Sequence, residues 1–480
     1  MDTISSHGEF FELSVGAQQF LSAEQAFHYQ IIPKKIADNQ LSFYVDELHY
    51  SRTLVDELEM VFGKAVDLEP SDSRKIQHSL TRYYRRHKGQ KLTSLEFDQA
   101  QDSDFLRDLI GEAHRLGSSD IHLEQYEDKC RVRIRIDGKL IERYEVSKED
   151  YPAIVNRIKI KAHLDIAEKR LPQDGRIEFR EGNMKFDIRV SILPTLYGEK
   201  VVMRLLSREA IQVDLGAIGM EKEDLKVYGE AIRKPHGVVL ISGPTGSGKT
   251  TTLYATLKQL NQETRNIVTI EDPIEYTLKG INQVQLKESI GLDFSAAMRT
   301  FLRQDPDVIM LGEIRDKATA QMAIRASLTG HLVFSTIHTN SAWGTISRLM
   351  DMGVPSFLLA NSLNISVAQR LVRKLCSHCK QTEKVDNFQW PASVNKPKDL
   401  KEVMVPIGCE SCYYTGYSGR TAVYEMIPMD PELAQHLEKD NVEVKALLQN
   451  RRIKTLKDRA FQLLRNGETS LEEIYSLMMH

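Results

Sequence analysis

The eight residues Gly243-Pro244-Thr245-Gly246-Ser247-Gly248-Lys249-Thr250 constrain this chain more than any other stretch. They fit the pattern G-x-x-x-x-G-K-[ST], follow the apolar run Val238 to Ile241, and open a helical pattern from Thr250 to Leu260. A strand, a glycine loop and a helix in that order make a phosphate cradle. Glycines let backbone N–H groups close around phosphate oxygens, Lys249 neutralises β/γ charge, and the Thr250 hydroxyl ligates Mg2+. These eight residues and Thr251 form the candidate nucleotide-binding set. Three further short apolar runs, Ile267 to Ile270, Val308 to Leu311 and Leu332 to Ile337, read as parallel strands buried on both faces. Lys222 to about Arg370 is therefore expected to be a doubly wound α/β core.

Chemistry is expected at the carboxyl ends of these strands, the edge of a parallel sheet where phosphates lie. Glu271, Asp272 and Glu275 follow one strand and can hold Mg2+ or its waters. The strand 307–311 leads into Gly312-Glu313, a Walker B-like arrangement with glycine where a metal-binding aspartate usually stands. Glu313 remains as the carboxylate that polarises an attacking water; an ion pair with Arg315 or Arg299 is its alternative use. His331 and His338 flank the strand 332–337. The position of His338 at the strand's end suits sensing of the γ-phosphate, whereas His331 reads equally well as structural. Cys376-Ser377-His378-Cys379 and Cys409-Glu410-Ser411-Cys412, separated by 29 residues, can close a tetrahedral thiolate site, so Zn2+ is expected to staple a loop. Cys130 reads as a small buried hydrophobe.

A chain of 480 residues predicts about three domains at roughly 150 residues each. With 64 Lys and Arg against 67 Asp and Glu, the net charge of −3 gives no global basic field for nucleic acid. Only Arg82 to Lys91, with Tyr83 and Tyr84, is locally basic and aromatic. No run reaches the roughly 18 apolar residues of a spanning helix and the N-terminus lacks a signal-peptide pattern, so a cytoplasmic chain is expected. Helical patterns at 22–30, 52–61 and 74–84 around an alternating run at 41–45 suggest a small α/β module. Alternating runs at 120–124, 131–137, 175–181, 185–191 and 200–206 around a helix at 151–164 suggest an α+β domain. The tail from Pro431 to Met479 reads as helical. The expected divisions are 1–95, 96–222, 223–370 for the P-loop core, 371–428 for the cysteine-bearing subdomain, and 429–480.

Taken together, these motifs resemble the secretion ATPases of type II secretion systems and type IV pilus assembly, nearest to the E proteins of the former. The resemblance rests on Gly243 to Thr250, on Glu271-Asp272-Pro273-Ile274-Glu275, and on Arg303 to Asp307 through Glu313-Ile314-Arg315-Asp316. It rests equally on Thr329-Gly330-His331 to His338-Thr339-Asn340, on Ser118 to His122 and on Asp165 to Arg176. Gly312 is that family's own pattern. The resemblance implies a RecA-like α/β core, a preceding PAS-like α+β domain and an N-terminal docking module. It implies a homo-hexamer that hydrolyses ATP with Mg2+, with Arg189 and Arg204 from the α+β domain and Arg299 and Arg303 from the core on the transferred charge. It also implies attachment to the cytoplasmic face of the inner membrane through adaptor and platform proteins, and the tetracysteine of the assembly branch. The expected output is pseudopilus assembly for protein export. Type IV pilus extension is the alternative, a DNA-translocating hexamer is the alternative from another class, and no nucleic-acid partner is expected.

Overall fold

The computed structural model describes residues 23–36, 40–83, 105–182, 184–206, 214–385, 400–438 and 453–479, with scattered positions between them. They form two compact units: 1–91 with 375–383 and 404–418, and 92–374 with 384–403 and 419–480.

The N-terminal module runs α1 (Ala23–His28), β1 (Ile31–Ile36), β2 (Gln40–Asp46), α2 (Arg52–Phe62), β3 (Ala65–Ser71) and α3 (Ser73–Tyr83). Its sheet has the order β1-β2-β3, with β1 antiparallel and β3 parallel to β2. Leu41, Phe43 and Val45 alternate inward from β2 and pack with Ile31, Leu58, Ile76 and Leu80. The basic stretch that favoured nucleic acid lies, beyond Tyr83, outside the described residues.

The next elements are α4 (Phe105–Arg115), β4 (Asp120–Gln125), β5 (Cys130–Ile136), β6 (Lys139–Val146), α5 (Tyr151–Lys161), β7 (Gln173–Glu181), β8 (Met184–Pro194) and β9 (Glu199–Leu206). They make a six-stranded sheet of order β6-β5-β4-β9-β8-β7. Asp137 and Gly138 both have positive φ, 47° and 86°, as a two-residue hairpin turn between β5 and β6 requires. One face buries Ile121, Leu123, Val132, Ile134, Ile188, Val190, Val201 and Met203 against Leu109, Ile110, Ile154 and Ile158 of the two helices, with Cys130 in the same core. The other face is charged. There Glu124, 3% exposed, takes ion pairs from Arg131, Arg133 and Lys200 at 3.2, 2.7 and 3.1 Å.

Burial alone would raise the pKa of Glu124, but the Arg133 and Lys200 partners outweigh it and hold the group at about 2, below the ordinary 4.5. A depressed carboxylate stabilises the fold fully above its unfolded value and loses that contribution as pH falls towards the folded one. Glu124→Gln is therefore expected to lower the thermal midpoint at pH 7 by about 2–4 °C. The gap to the parent should close between pH 4.5 and 2; a gap independent of pH contradicts the assignment.

The core continues with α6 (Lys222–Ile232), β10 (Gly237–Ser242), α7 (Lys249–Leu260), β11 (Ile267–Glu271), β12 (Asn282–Gln285), α8 (Phe294–Phe301), β13 (Val308–Leu311), α9 (Lys317–Leu328) and β14 (Leu332–Ile337). It ends with α10 (Ala342–Asp351), α11 (Ser356–Ser362), β15 (Leu363–Leu375), the paired β16 (Gln381–Lys384) and β17 (Glu402–Val405), β18 (Tyr417–Pro428), α12 (Pro431–Glu438), α13 (Leu456–Arg465) and α14 (Leu471–Met478). The main sheet has the order β12-β11-β13-β14-β10-β15-β18, and β12 through β15 pair in parallel in that order. Every residue of β10, β11, β13 and β14 is buried, in keeping with strands that are mostly apolar and carry only Ser242, Thr269, Glu271, Ser335 and Thr336 as polar residues. The sheet runs on past Arg370, where the sequence placed its end. Strand β18 belongs to it, and the cysteine-bearing stretch is an excursion between two neighbouring core strands. On β18 the buried Glu425 carboxylate accepts the N–H of Ala342 at 2.8 Å and of Leu456 at 3.3 Å, so one side chain caps α10 and α13. No helix among the described residues is long and apolar enough to cross a membrane.

Candidate active site

The glycine loop joins β10 to α7 at the carboxyl edge of the parallel sheet. Gly248 is required twice over: its φ is +86°, and a Cβ there would stand 2.8 Å from Gln369 Nε2. Lys249 opens α7 with its side chain folded back, Nζ donating to the carbonyls of Gly243 at 2.7 Å and Pro244 at 3.0 Å. Burial lowers its pKa and the Glu313 carboxylate opposes that shift. Thr250 and Thr251 occupy the first helical turn, where unpaired N–H groups and the helix dipole favour phosphate. A phosphate chain in this loop gives Lys249 an anionic partner in place of its two carbonyls.

Glu313 lies just beyond β13 on the same edge. It is paired with Arg315, and its second oxygen is 3.6 Å from His338 Nε2, at the end of β14. Arg315 also reaches Asp272 at 3.3 Å, so Asp272, Glu313 and His338 form one cluster beside the loop. The ion pair to Arg315, held open as an alternative for Glu313, is present; both uses fit one carboxylate. Gly312 has a packing reason, because a Cβ there would press on Ile270 O at 3.3 Å and Glu271 Cα at 3.4 Å.

Glu271 departs from expectation. It is the last residue of β11, and it is buried rather than displayed in a turn. Its carboxylate accepts hydrogen bonds from Tyr254 Oη, from Thr269 Oγ1 at 2.6 Å and from Gln283 Nε2 at 3.0 Å. The structure uses Glu271 to lock α7 and β12 onto β11, leaving Asp272 as the acidic residue grouped with Glu313. Glu275 faces the α+β domain instead, where Arg189 Nη1 meets it at 3.2 Å and Arg189 Nη2 donates to Ile274 O at 2.6 Å. Arg204 is the cross-strand neighbour of Arg189.

Three expected residues are not brought to this cluster within one chain. His331 precedes β14 and therefore stands at the amino edge, about 20 Å of strand from His338. Its Nδ1 is 2.9 Å from Ala326 O, closing the end of α9. Helix α8 returns between two parallel strands, so Arg299 in its last turn and Arg303 beyond it also stand towards the amino edge, with Arg303 Nη1 donating to Arg299 O. Within one chain, strand direction keeps all three away from the cluster of Asp272, Glu313 and His338.

Two further residues near the loop, Gln369 and Arg370, lie on β15, a strand that the sequence patterns did not predict. Gln369 accepts from Thr252 Oγ1 at 2.9 Å and backs the glycine loop. Arg370, its pKa lowered by burial, donates to Gln369 O at 2.9 Å and Asn340 O at 3.1 Å. Their signal is polar side chains inside an otherwise buried strand.

The sulfurs of Cys376, Cys379, Cys409 and Cys412 all lie within 4.8 Å of one another, with Sγ–Sγ distances of 3.8 Å (376–409), 3.7 Å (379–412) and 3.8 Å (409–412). Tetrahedral zinc with bonds of about 2.3 Å has sulfur–sulfur edges of about 3.8 Å, the spacing of the three edges given, so the four thiols fit a zinc site. Backbone N–H groups of Gly408, Cys409 and Gly416 donate to these sulfurs at 3.3, 3.2 and 3.2 Å, which favours thiolate.

Comparison with known proteins agrees with this arrangement. Residues 96–476 match the family model described as type II/IV secretion system protein. The type II secretion system protein E of Pseudomonas aeruginosa is 46% identical over 78% of this chain and 76% of its own length. The type IV pilus assembly ATPase PilB of Myxococcus xanthus is 40% identical over 93% of this chain and 85% of its own. The solved ATPase DotB of Legionella pneumophila shares the fold, with a TM-score of 0.60 at 22% identity over 82% of this chain and 98% of that one. A P-loop at the carboxyl edge of a parallel sheet, a glutamate beyond β13 and a match across most of the sequence lead to one conclusion: the chain belongs to the type II/IV secretion system protein family.

Proposed function

We propose that this chain is a cytoplasmic Mg2+-dependent ATP hydrolase that works as a hexameric ring and powers pseudopilus assembly in a type II secretion system. The observation that carries the reading is the shared sheet edge of Lys249, Glu313, Asp272 and His338, at which Arg189 from the preceding domain reaches Glu275. Lys249 and the loop amides bind the phosphates. Thr250 and Asp272 would hold Mg2+, which screens phosphate charge. Glu313 orients water and takes up its proton, and His338, near the same carboxylate, reads the γ-phosphate. Arg189 and Arg204 bring guanidinium charge to the developing anion as the α+β domain closes on the core. Arg299, Arg303 and His331 lie on the edge away from their own P-loop, so a ring is what would carry them to a nucleotide, that of a neighbouring chain. The four cysteines would hold Zn2+, which cross-links two segments of the excursion.

Adaptor and platform proteins of the inner membrane are the proposed docking partners, with the N-terminal module as the surface that meets them. Pilus extension is the second reading, favoured by the pilus assembly ATPase that aligns over 93% of this chain. The enzymatic reading is tested by phosphate release from ATP that requires Mg2+ and Lys249 and rises as chains assemble.

A further inference from the structure

The charged face of the six-stranded sheet carries an unusual row. Cross-strand register places Arg135, Asp120, Arg204, Arg189 and Arg176 directly beside one another on five successive strands. Like charges opposite each other destabilise a sheet, so each guanidinium in such a row needs an answer. Arg176 pairs with Asp187, and Arg189 with Glu275 and Ile274 O. Arg135 and Arg204 share a single carboxylate, that of Asp120.

From this geometry we infer that Asp120 is the positioning residue that aims Arg204 at phosphate charge, an inference that rests on the role proposed above for Arg204. Asp120 is only 6% exposed, and Ser119 Oγ fixes its Oδ2 at 2.8 Å, where Arg135 Nε also approaches at 3.3 Å. Its Oδ1 accepts from Arg204 Nε at 3.0 Å. The Arg204 side chain itself is 59% exposed, and among the described residues none hydrogen-bonds its two Nη groups. The anchor is therefore buried and rigid while the fork points outward. A guanidinium held at Nε keeps its plane fixed and offers both Nη groups to a phosphate, the bidentate geometry for which arginine is suited. Arg189 differs: both of its Nη groups are engaged by the core. Holding Arg204 in advance removes the ordering that a free side chain would undergo at the moment of reaction.

The test is steady-state ATP turnover by the full-length chain carrying Asp120→Asn, Arg204→Ala, or both, with thermal midpoints measured in parallel. Arg204→Ala should lower kcat by about 100-fold. Asp120→Asn should lower kcat by about 10-fold with KM little changed, and the double variant should match Arg204→Ala, because an aimed group that is gone cannot be misaimed again. Asp120→Glu keeps the charge and moves the anchor by one methylene, so it too should lose kcat severalfold even if the asparagine variant folds poorly. Arg135→Gln, which removes the other partner of the same carboxylate, should keep kcat. Independent, multiplying effects of Asp120→Asn and Arg204→Ala, or a fully active Asp120→Glu, overturn the positioning role while leaving Arg204 functional. Wild-type turnover by Arg204→Ala overturns the role of Arg204 and that of Asp120 with it.

Discussion

A Glu313→Gln chain is expected to bind ATP with nearly unchanged affinity and to hydrolyse it about 10²–10⁴ times more slowly. Glutamine keeps the volume of the side chain and still accepts from Arg315 and approaches His338, so the packing of the loop beyond β13 survives. What it loses is a basic oxygen able to take a proton from water. Glu313 is one of two carboxylates on Arg315, and Asp272 cannot replace it without giving up the 3.3 Å contact that draws the acidic turn towards β13. Fluorescent-nucleotide titration and single-turnover hydrolysis on the same preparation separate the two quantities. Retained turnover within threefold of the parent would remove Glu313 from the chemistry.

The second large effect concerns the four thiols. The purified chain should carry about one zinc, and Cys412→Ser should abolish that content and lower the thermal midpoint by about 5 °C or more, since structural zinc contributes folding energy directly. Cys412 is the decisive ligand because its sulfur is 3.7 and 3.8 Å from two of the others and accepts two backbone N–H groups. Burial pushes the Cys412 thiol's pKa up, so a cation is what makes deprotonation favourable here. Metal analysis and thermal unfolding measure both outcomes. Full zinc content in Cys412→Ser would contradict the ligand set.

What the sequence made legible, and what it hid, follows from the physics of each element. The core strands β10, β11, β13 and β14 were readable because burial on both faces leaves short, mostly apolar runs, and the glycine loop was readable because positive φ at Gly246 and Gly248 favours glycine there. Strand β1 was hidden by Pro33, Lys34 and Lys35, with a register shift between Pro33 and Lys35 that accommodates the proline. Strand β12 is an edge of polar residues, Asn282 to Gln285, with almost no hydrophobic pattern to detect. Strands β15 and β18 carry Gln369, Arg370, Arg373 and Glu425, polar groups whose partners include residues far along the chain.

The site divides in the same way. Its motifs located Lys249, Glu313 and His338, whose order along parallel strands is enough to group them. What the sequence does not show for Glu271 is that Tyr254, Thr269 and Gln283 all donate to its buried carboxylate, because those partners come from other elements or from within its own strand. For His331 the signal was available: a residue before a parallel strand stands at the edge away from the P-loop.

Whether hydrolysis belongs to an assembled ring is decided by ATP turnover per chain across a range of chain concentrations, with oligomer mass measured in the same buffer and Lys249→Ala as the blank. Turnover per chain should rise as hexamers form and be abolished by Lys249→Ala, as follows if Arg299, Arg303 and His331 serve the nucleotide of a neighbouring chain in the proposed ring. Full turnover in the monomer would contradict it.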